Sequence, residues 1–152
     1  GWIGVDVKWV MKSELRKVPV WGWAAEKGGQ ILIDRSNPKA AYESLRNAES
    51  KIEGGTSIVV IPEGTRSRTG QLGEFKKGAF WLAHNLNLPV LPITLLNTRN
   101  ILPPDTLDLF PGRVTMKIYP PVDVSEYGEE SLGRLISDVR DIIQQGLEEN
   151  QS

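Results

Sequence analysis

Two arginines stand close together in Pro62-Glu63-Gly64-Thr65-Arg66-Ser67-Arg68-Thr69-Gly70, between glycines at 64 and 70 and among the hydroxyls of Thr65, Ser67 and Thr69. Lys76 and Lys77 follow shortly. Glycines let backbone N–H groups approach an anion, and an arginine fork matches the oxygens of a phosphate. Each well-formed charge-assisted bond contributes about 1.5–3 kcal/mol. Composition alone leaves two readings open, an anion site or a solvated basic turn. The Walker loop needs four residues between its glycines and a Lys after the second. Here five residues separate Gly64 from Gly70, and Gln71 follows, so that loop is excluded. No second carboxylate is placed to divide acid–base work with Glu63, which is expected to orient the loop. The other strand-end arginine is Arg35, beside Asp34. If the two strands that lead into these loops are neighbours, Arg35 and Arg66 emerge together as a phosphate clamp. Ion pairs from Asp34 or Glu63 that only shape the loops are the competing reading.

The elements that must position these groups follow from periodicity. Val5, Val7 and Val10 make Gly1 to Lys12 a strand that enters Ser13-Glu14-Leu15. Pro19 and Gly22 mark a turn or short helix. Gly28-Gly29 is a turn, and Gln30 to Ile33 a short buried strand. Asn37 can cap a helix that has Pro38 in its first position. Ala41, Leu45, Ala48 and Ile52 form its apolar face, and Gly54-Gly55 ends it. Ser57 to Ile61 is a second buried strand that runs into the basic loop. Lys77 to Leu86 is a helix, Pro89 to Leu96 a third strand, and Val114 to Tyr119 a fourth, nearer an edge. Leu132, Leu135, Ile136, Val139, Ile142, Ile143 and Leu147 define a terminal amphipathic helix. Strands alternating with helices predict one α/β domain over residues 1–152, with a mainly parallel central sheet flanked by helices. Ligands of such sheets sit where strands end in loops.

Bulk properties narrow the function. The formal net charge of −1 on 152 residues argues against nucleic acid, so any anion site must be local. The absence of cysteine removes a thiolate nucleophile, a disulfide scaffold and a Cys-based zinc site. No metal or organic cofactor is expected. No stretch has the roughly 20 apolar residues that a spanning helix needs, and no signal peptide is visible. Trp2, Trp9, Trp21 and Trp23 cluster early, as core residues or as membrane-interface residues. His84 is the only histidine. The chain opens on Gly1 without a Met and is expected to be a piece of something longer.

Ile61-Pro62-Glu63-Gly64-Thr65-Arg66-Ser67 resembles the phosphate-binding motif of the glycerol-phosphate and lysophospholipid acyltransferases. Ile31-Leu32-Ile33-Asp34-Arg35 resembles the motif that precedes it, and Pro89-Val90-Leu91-Pro92-Ile93 the proline-bracketed apolar motif that follows. Lys12-Ser13-Glu14-Leu15, with Val18-Pro19 and Gly22, resembles the lead-in segment, and Phe75 to Phe80 the stretch after the loop. Order and spacing agree as far as Tyr119, and Pro120-Pro121-Val122-Asp123 followed by a helix agrees too. The nearest likeness is to bacterial 1-acylglycerol-3-phosphate acyltransferases.

The resemblance implies a glycerol-3-phosphate acyltransferase-like fold without its N-terminal part. It implies that Arg35 and Arg66 bind the phosphate of lysophosphatidic acid, that Glu63, Gly64 and Thr65 shape or line the pocket, and that Lys12 adds a further charge. Pro89, Val90, Leu91, Pro92 and Ile93 would form an apolar wall near the acyl chain. The donor would be acyl-CoA or acyl-carrier protein, the product phosphatidic acid, and the location the cytoplasmic face of a membrane. Another glycerol-phosphate or lysophospholipid acceptor, or a non-catalytic phosphate- or lipid-binding module, is the alternative.

The family's chemistry rests on His-x-x-x-x-Asp, in which the His is general base on the acceptor hydroxyl and the Asp orients it. In the family this motif lies upstream of the segment matched by Lys12, which here is before Gly1. Five residues after His84 stands Pro89, so His84 does not replace it and reads as a partly buried helix residue. A general base supplies about 10²- to 10⁴-fold in rate. The isolated 152-residue chain is therefore expected to bind lysophosphatidate weakly and turn it over negligibly. Acyl transfer well above background in a radiolabelled donor assay would contradict this.

Overall fold

The computed structural model describes residues 6–34, 37–47, 52 and 55–149. The chain forms two compact units, Gly1–Ile61 and Pro62–Ser152.

The first unit is built on β1 (Val7–Lys12), which is followed by a 3-10 turn at Ser13–Lys17 and by helix α1 (Trp21–Lys27). Strand β2 (Ile31–Ile33), helix α2 (Pro38–Asn47) and strand β3 (Ser57–Val59) complete it. The sheet order is β2-β1-β3, parallel throughout, with Lys12 opposite Ile33 and Trp9 opposite Val59. This is the parallel sheet that the alternation predicts. The strands that lead to Arg35 and to the basic loop are not neighbours, however, because β1 lies between them. All three strands run the same way, so their C-terminal ends share one edge of the sheet.

Local sequence accounts for the connections. Asn37 Oδ1 accepts from the Lys39 and Ala40 N–H groups at 3.1 and 3.2 Å, which is the expected N-cap ahead of Pro38. The described helix ends at Asn47. Ile52 lies beyond it, and Ala48 and Gly54 fall outside the described residues. Gly22 is required by contact. A Cβ there would strike the carbonyl of Arg16, so α1 can close onto the 3-10 turn only through a glycine. Ala25, Ile31 and Ile33 are buried between these elements.

The second unit holds helix α3 (Lys77–Asn85), strand β4 (Ile93–Leu96), the single turn α4 (Thr98–Ile101), strand β5 (Thr115–Ile118) and helix α5 (Leu132–Glu148). Strands β4 and β5 pair antiparallel, Ile93 with Ile118 and Leu95 with Met116. Periodicity finds both strands but not their direction. The helix expected after Asp123 is α5, which starts at Leu132, where its predicted apolar face begins. Asp123 first caps a short 3-10 turn at Val124–Glu126, accepting from the Ser125 N–H and hydroxyl at 2.9 and 2.8 Å. These bonds hold its carboxyl below the usual carboxylate range.

Phe75, Phe80, Val124, Leu135 and Val139 form the buried core of this unit, with Val90, Val122, Leu132, Ile136 and Ile143 packed around it. Leu135 and Val139 are on the predicted face of α5. Further along that helix, Gly146 is buried because Tyr119 fills the space where a side chain would be. A Cβ at 146 would overlap the Tyr119 hydroxyl and lie 3.2 Å from Thr94 Oγ1. Alanine in place of glycine favours an isolated helix by about 1 kcal/mol. Overpacking a filled site costs about 1–3 kcal/mol. Gly146→Ala is therefore expected to lower stability in urea unfolding, and adding Tyr119→Phe to recover part of the loss. An unchanged midpoint for the single variant would contradict this packing.

Candidate anion-binding loop

The loop after Ile61 is held together by its own groups. Gly64 and Gly70 have φ of +74° and +85°, which side chains other than glycine rarely adopt. The Lys76 N–H donates to the Pro62 carbonyl at 2.8 Å, which closes the loop at its base. Inside, Ser67 Oγ accepts from the Gly70 N–H at 2.9 Å and Thr69 Oγ1 from the Gln71 N–H at 3.2 Å. Two of the three hydroxyls thus accept from the loop's own backbone, which fixes its shape. Beyond the loop, buried Phe75 stacks on Phe80 with centroids 6.1 Å apart, and the Leu72 carbonyl accepts from Arg140 Nη2 at 3.2 Å.

Glu63 has the orienting role expected of it. Its Oε2 accepts from the Gly73 N–H at 2.8 Å, across the base of the loop. A Cβ at position 73 would stand 2.8 Å from the same oxygen, so the contact needs a glycine there.

The two arginines part company. Arg68 Nη2 meets Asp105 Oδ1 at 3.3 Å in an exposed pair, side chains 80% and 66% accessible. Arg66 is exposed and has no ion pair or hydrogen bond to any described residue. Thr65 is exposed beside it, and Gly64 is partly buried. The loop therefore offers one unengaged guanidinium on a backbone fixed at both ends. Arg99, which periodicity does not single out, donates to the Arg68 carbonyl through Nη2 at 2.8 Å.

The remaining predicted site residues are distributed as follows. Lys12 is exposed at the C-terminal end of β1, in the first unit. Arg35 lies outside the described residues, so the expected clamp with Arg66 is not described. The five apolar residues divide by alternation. Pro92 is buried and Val90 packs on the core, whereas Leu91 and Ile93 are 50% and 39% exposed and Pro89 is exposed. Only part of that segment is thus free to face a ligand. His84 sits on α3 as a partly buried helix residue. Its Nε2 is 2.9 Å from the Tyr127 carbonyl, which can only accept, so this nitrogen carries the proton. The Tyr127 phenol donates to Asp138 at 2.8 Å, and that bond, with burial, raises it above its ordinary value. Among the described residues, no group of three or more His, Cys, Asp or Glu could hold a metal ion.

The family described as Acyltransferase matches residues 2–96, which takes in the first unit, the loop, α3 and β4. The chain belongs to this acyltransferase family. It is 36% identical over 127 residues to the 1-acyl-sn-glycerol-3-phosphate acyltransferase of Pseudomonas aeruginosa, covering 83% of this chain and 49% of that one. The enzyme of the same name from Salmonella typhimurium is 35% identical, over 92% of this chain and 57% of its own length. The crystal structure of the 1-acyl-sn-glycerophosphate acyltransferase PlsC from Thermotoga maritima superposes with a TM-score of 0.77 at 32% identity, covering 95% of this chain and 57% of that chain. The chain thus spans about half the length of these relatives.

Replacing Glu63 tests the loop's closure. Glu63→Ala leaves the Gly73 N–H without its acceptor and is expected to cost about 1–3 kcal/mol in urea unfolding. Glu63→Gln keeps an acceptor oxygen and is expected to cost less. Equal, negligible losses for both would show that the carboxylate does not hold the loop.

Proposed function

We propose that this chain is the phosphate-binding part of an enzyme that moves an acyl group from acyl-CoA or acyl-carrier protein to the free glycerol hydroxyl of 1-acylglycerol-3-phosphate, forming phosphatidic acid. The observation that carries the reading is the unengaged Arg66 guanidinium on a loop that Glu63, Ser67 and Thr69 hold in shape. The names of the relatives, all acting on 1-acylglycerol-3-phosphate, support the choice of acceptor.

In this reading Arg66 takes the acceptor's phosphate, with Thr65 beside it. Pro89, Leu91 and Ile93 are the members of the apolar segment with surface to offer an acyl chain. The hydroxyl oxygen attacks the thioester carbonyl, a C–O bond forms as the C–S bond breaks, and the hydroxyl proton ends on the departing thiol. The general base in this reading is the His of His-x-x-x-x-Asp, a motif not among these 152 residues. His84 does not fit that motif, since Pro89 rather than Asp stands five residues after it. The reaction calls for no metal or organic cofactor beyond the acyl donor.

A lipid acceptor implies work at a membrane surface, and the family resemblance points to its cytoplasmic face. No helix among the described residues is long and apolar enough to cross one. Trp21 and Trp23 are about two-thirds exposed, and Val20 is 76% exposed beside them, which suits contact with a membrane interface better than a place in the core.

Arg66→Ala is expected to weaken lysophosphatidate binding by about 1–3 kcal/mol, roughly 5- to 150-fold in Kd. Titration of the purified protein with lysophosphatidate in detergent measures this. An unchanged Kd would remove Arg66 from the site.

A further inference from the structure

We propose that Arg99 is a positioning residue for the anion loop, fixing the backbone from which Arg66 projects. This rests on the reading of that loop as the phosphate site. Two features converge on the Arg99 guanidinium. Its Nη2 donates to the Arg68 carbonyl, two residues after Arg66, at 2.8 Å. Its Nη1 lies 2.6 Å from where a Cβ on Gly70 would be, so the guanidinium rests directly on the turn at that glycine. Gly70 is required by its φ of +85°, and the arginine tip lies where a side chain would otherwise go.

A brace must itself be fixed. Arg99 is on α4, whose cap residue Asn97 turns the chain with a φ of +69°. Asn97 Nδ2 donates to the Arg113 carbonyl at 2.8 Å, and the Phe110 N–H donates to the Ile101 carbonyl at 2.8 Å. These bonds tie α4 to the far end of the segment that follows it. The other link from that segment to the loop is the Arg68–Asp105 pair, exposed on both sides, and such pairs contribute little. The bond from Arg99 is exposed as well, but at 2.8 Å it is shorter, ends on the backbone and is backed by contact with Gly70, which makes it the stronger restraint. An exposed arginine loses much rotamer freedom when it grips a ligand, so its reach depends on where its backbone is held.

The test uses the intact acyltransferase that contains this chain, assayed with lysophosphatidate and acyl-CoA. Arg99→Ala is expected to raise KM for lysophosphatidate about tenfold, with kcat, donor KM and thermal midpoint little changed. Arg99→Lys keeps a donor and recovers part of the loss. Gly70→Ala raises the same KM, and its effect is smaller in the Arg99→Ala background, because the side chain it crowds is gone. Independent, multiplicative effects at 70 and 99 would overturn the proposal, as would a fall in kcat, donor KM and thermal midpoint together. Arg66→Ala separates the two levels. If it raises KM for lysophosphatidate while Arg99→Ala does not, the phosphate site stands and the brace fails. If Arg66→Ala leaves that KM unchanged, the phosphate reading falls, and the brace with it.

Discussion

The hydrogen bond from the Gly73 N–H to the Glu63 carboxylate closes a loop that would otherwise be an open excursion of the chain. An exposed polar segment has no apolar area with which to offset the entropy of ordering it, which is about 1–2 kcal/mol per residue. It must therefore be held by directed bonds and by its ends. Here the ends are the Pro62 carbonyl, bonded by the Lys76 N–H, and Phe75, buried on Phe80. The direct start of α3 at Lys77 makes that anchor rigid. Once the loop is shaped this way, its side chains sort by consequence. Glu63, Ser67 and Thr69 face inward on the backbone, Arg68 lies on Asp105, and Arg66 is left to the solvent.

That sorting sets the limit of what the sequence shows. The string from Pro62 to Gly70 reads as a candidate anion loop, and the absence of a second carboxylate suggests the orienting role for Glu63 that its bond to the Gly73 N–H fits. Which arginine stays free cannot be read there, because it depends on Asp105 and Arg99, more than thirty residues away. The capped start of α2 at Asn37-Pro38 and the apolar face of α5 were legible, since both are local patterns. The order β2-β1-β3 was not. Three short apolar runs look alike along the chain, and only the sheet assigns one of them both partners. The same holds for the direction of β5, which the alternation of strands and helices does not fix.

The proline-bracketed segment shows how pleating divides one motif between two tasks. Val90 exchanges both backbone bonds with Val122 at 2.8 and 2.9 Å and packs on the core, and Pro92 is buried. Their neighbours Leu91 and Ile93 point the other way. Ile93 and Leu95 pair across to Ile118 and Met116, all four exposed, while Thr94 between them is buried beside Gly146 of α5. One face of the β4–β5 ribbon is therefore committed to α5 and the other is apolar and open. An apolar motif read from sequence as a wall is half wall and half foundation.

The central place of β1 also bears on the order in which a ribosome can deliver the fold. The strand that needs two partners leaves the exit tunnel before either of them. Its first edge stays bare until Ile31 to Ile33 have emerged, and its second until Ser57 to Val59 follow. At synthesis rates of about 5–20 residues per second, that second edge waits for seconds while the intervening chain is made. Exposed parallel edges are open to mispairing over such an interval. Slowing translation before Ser57 would lengthen the interval in which that edge is bare.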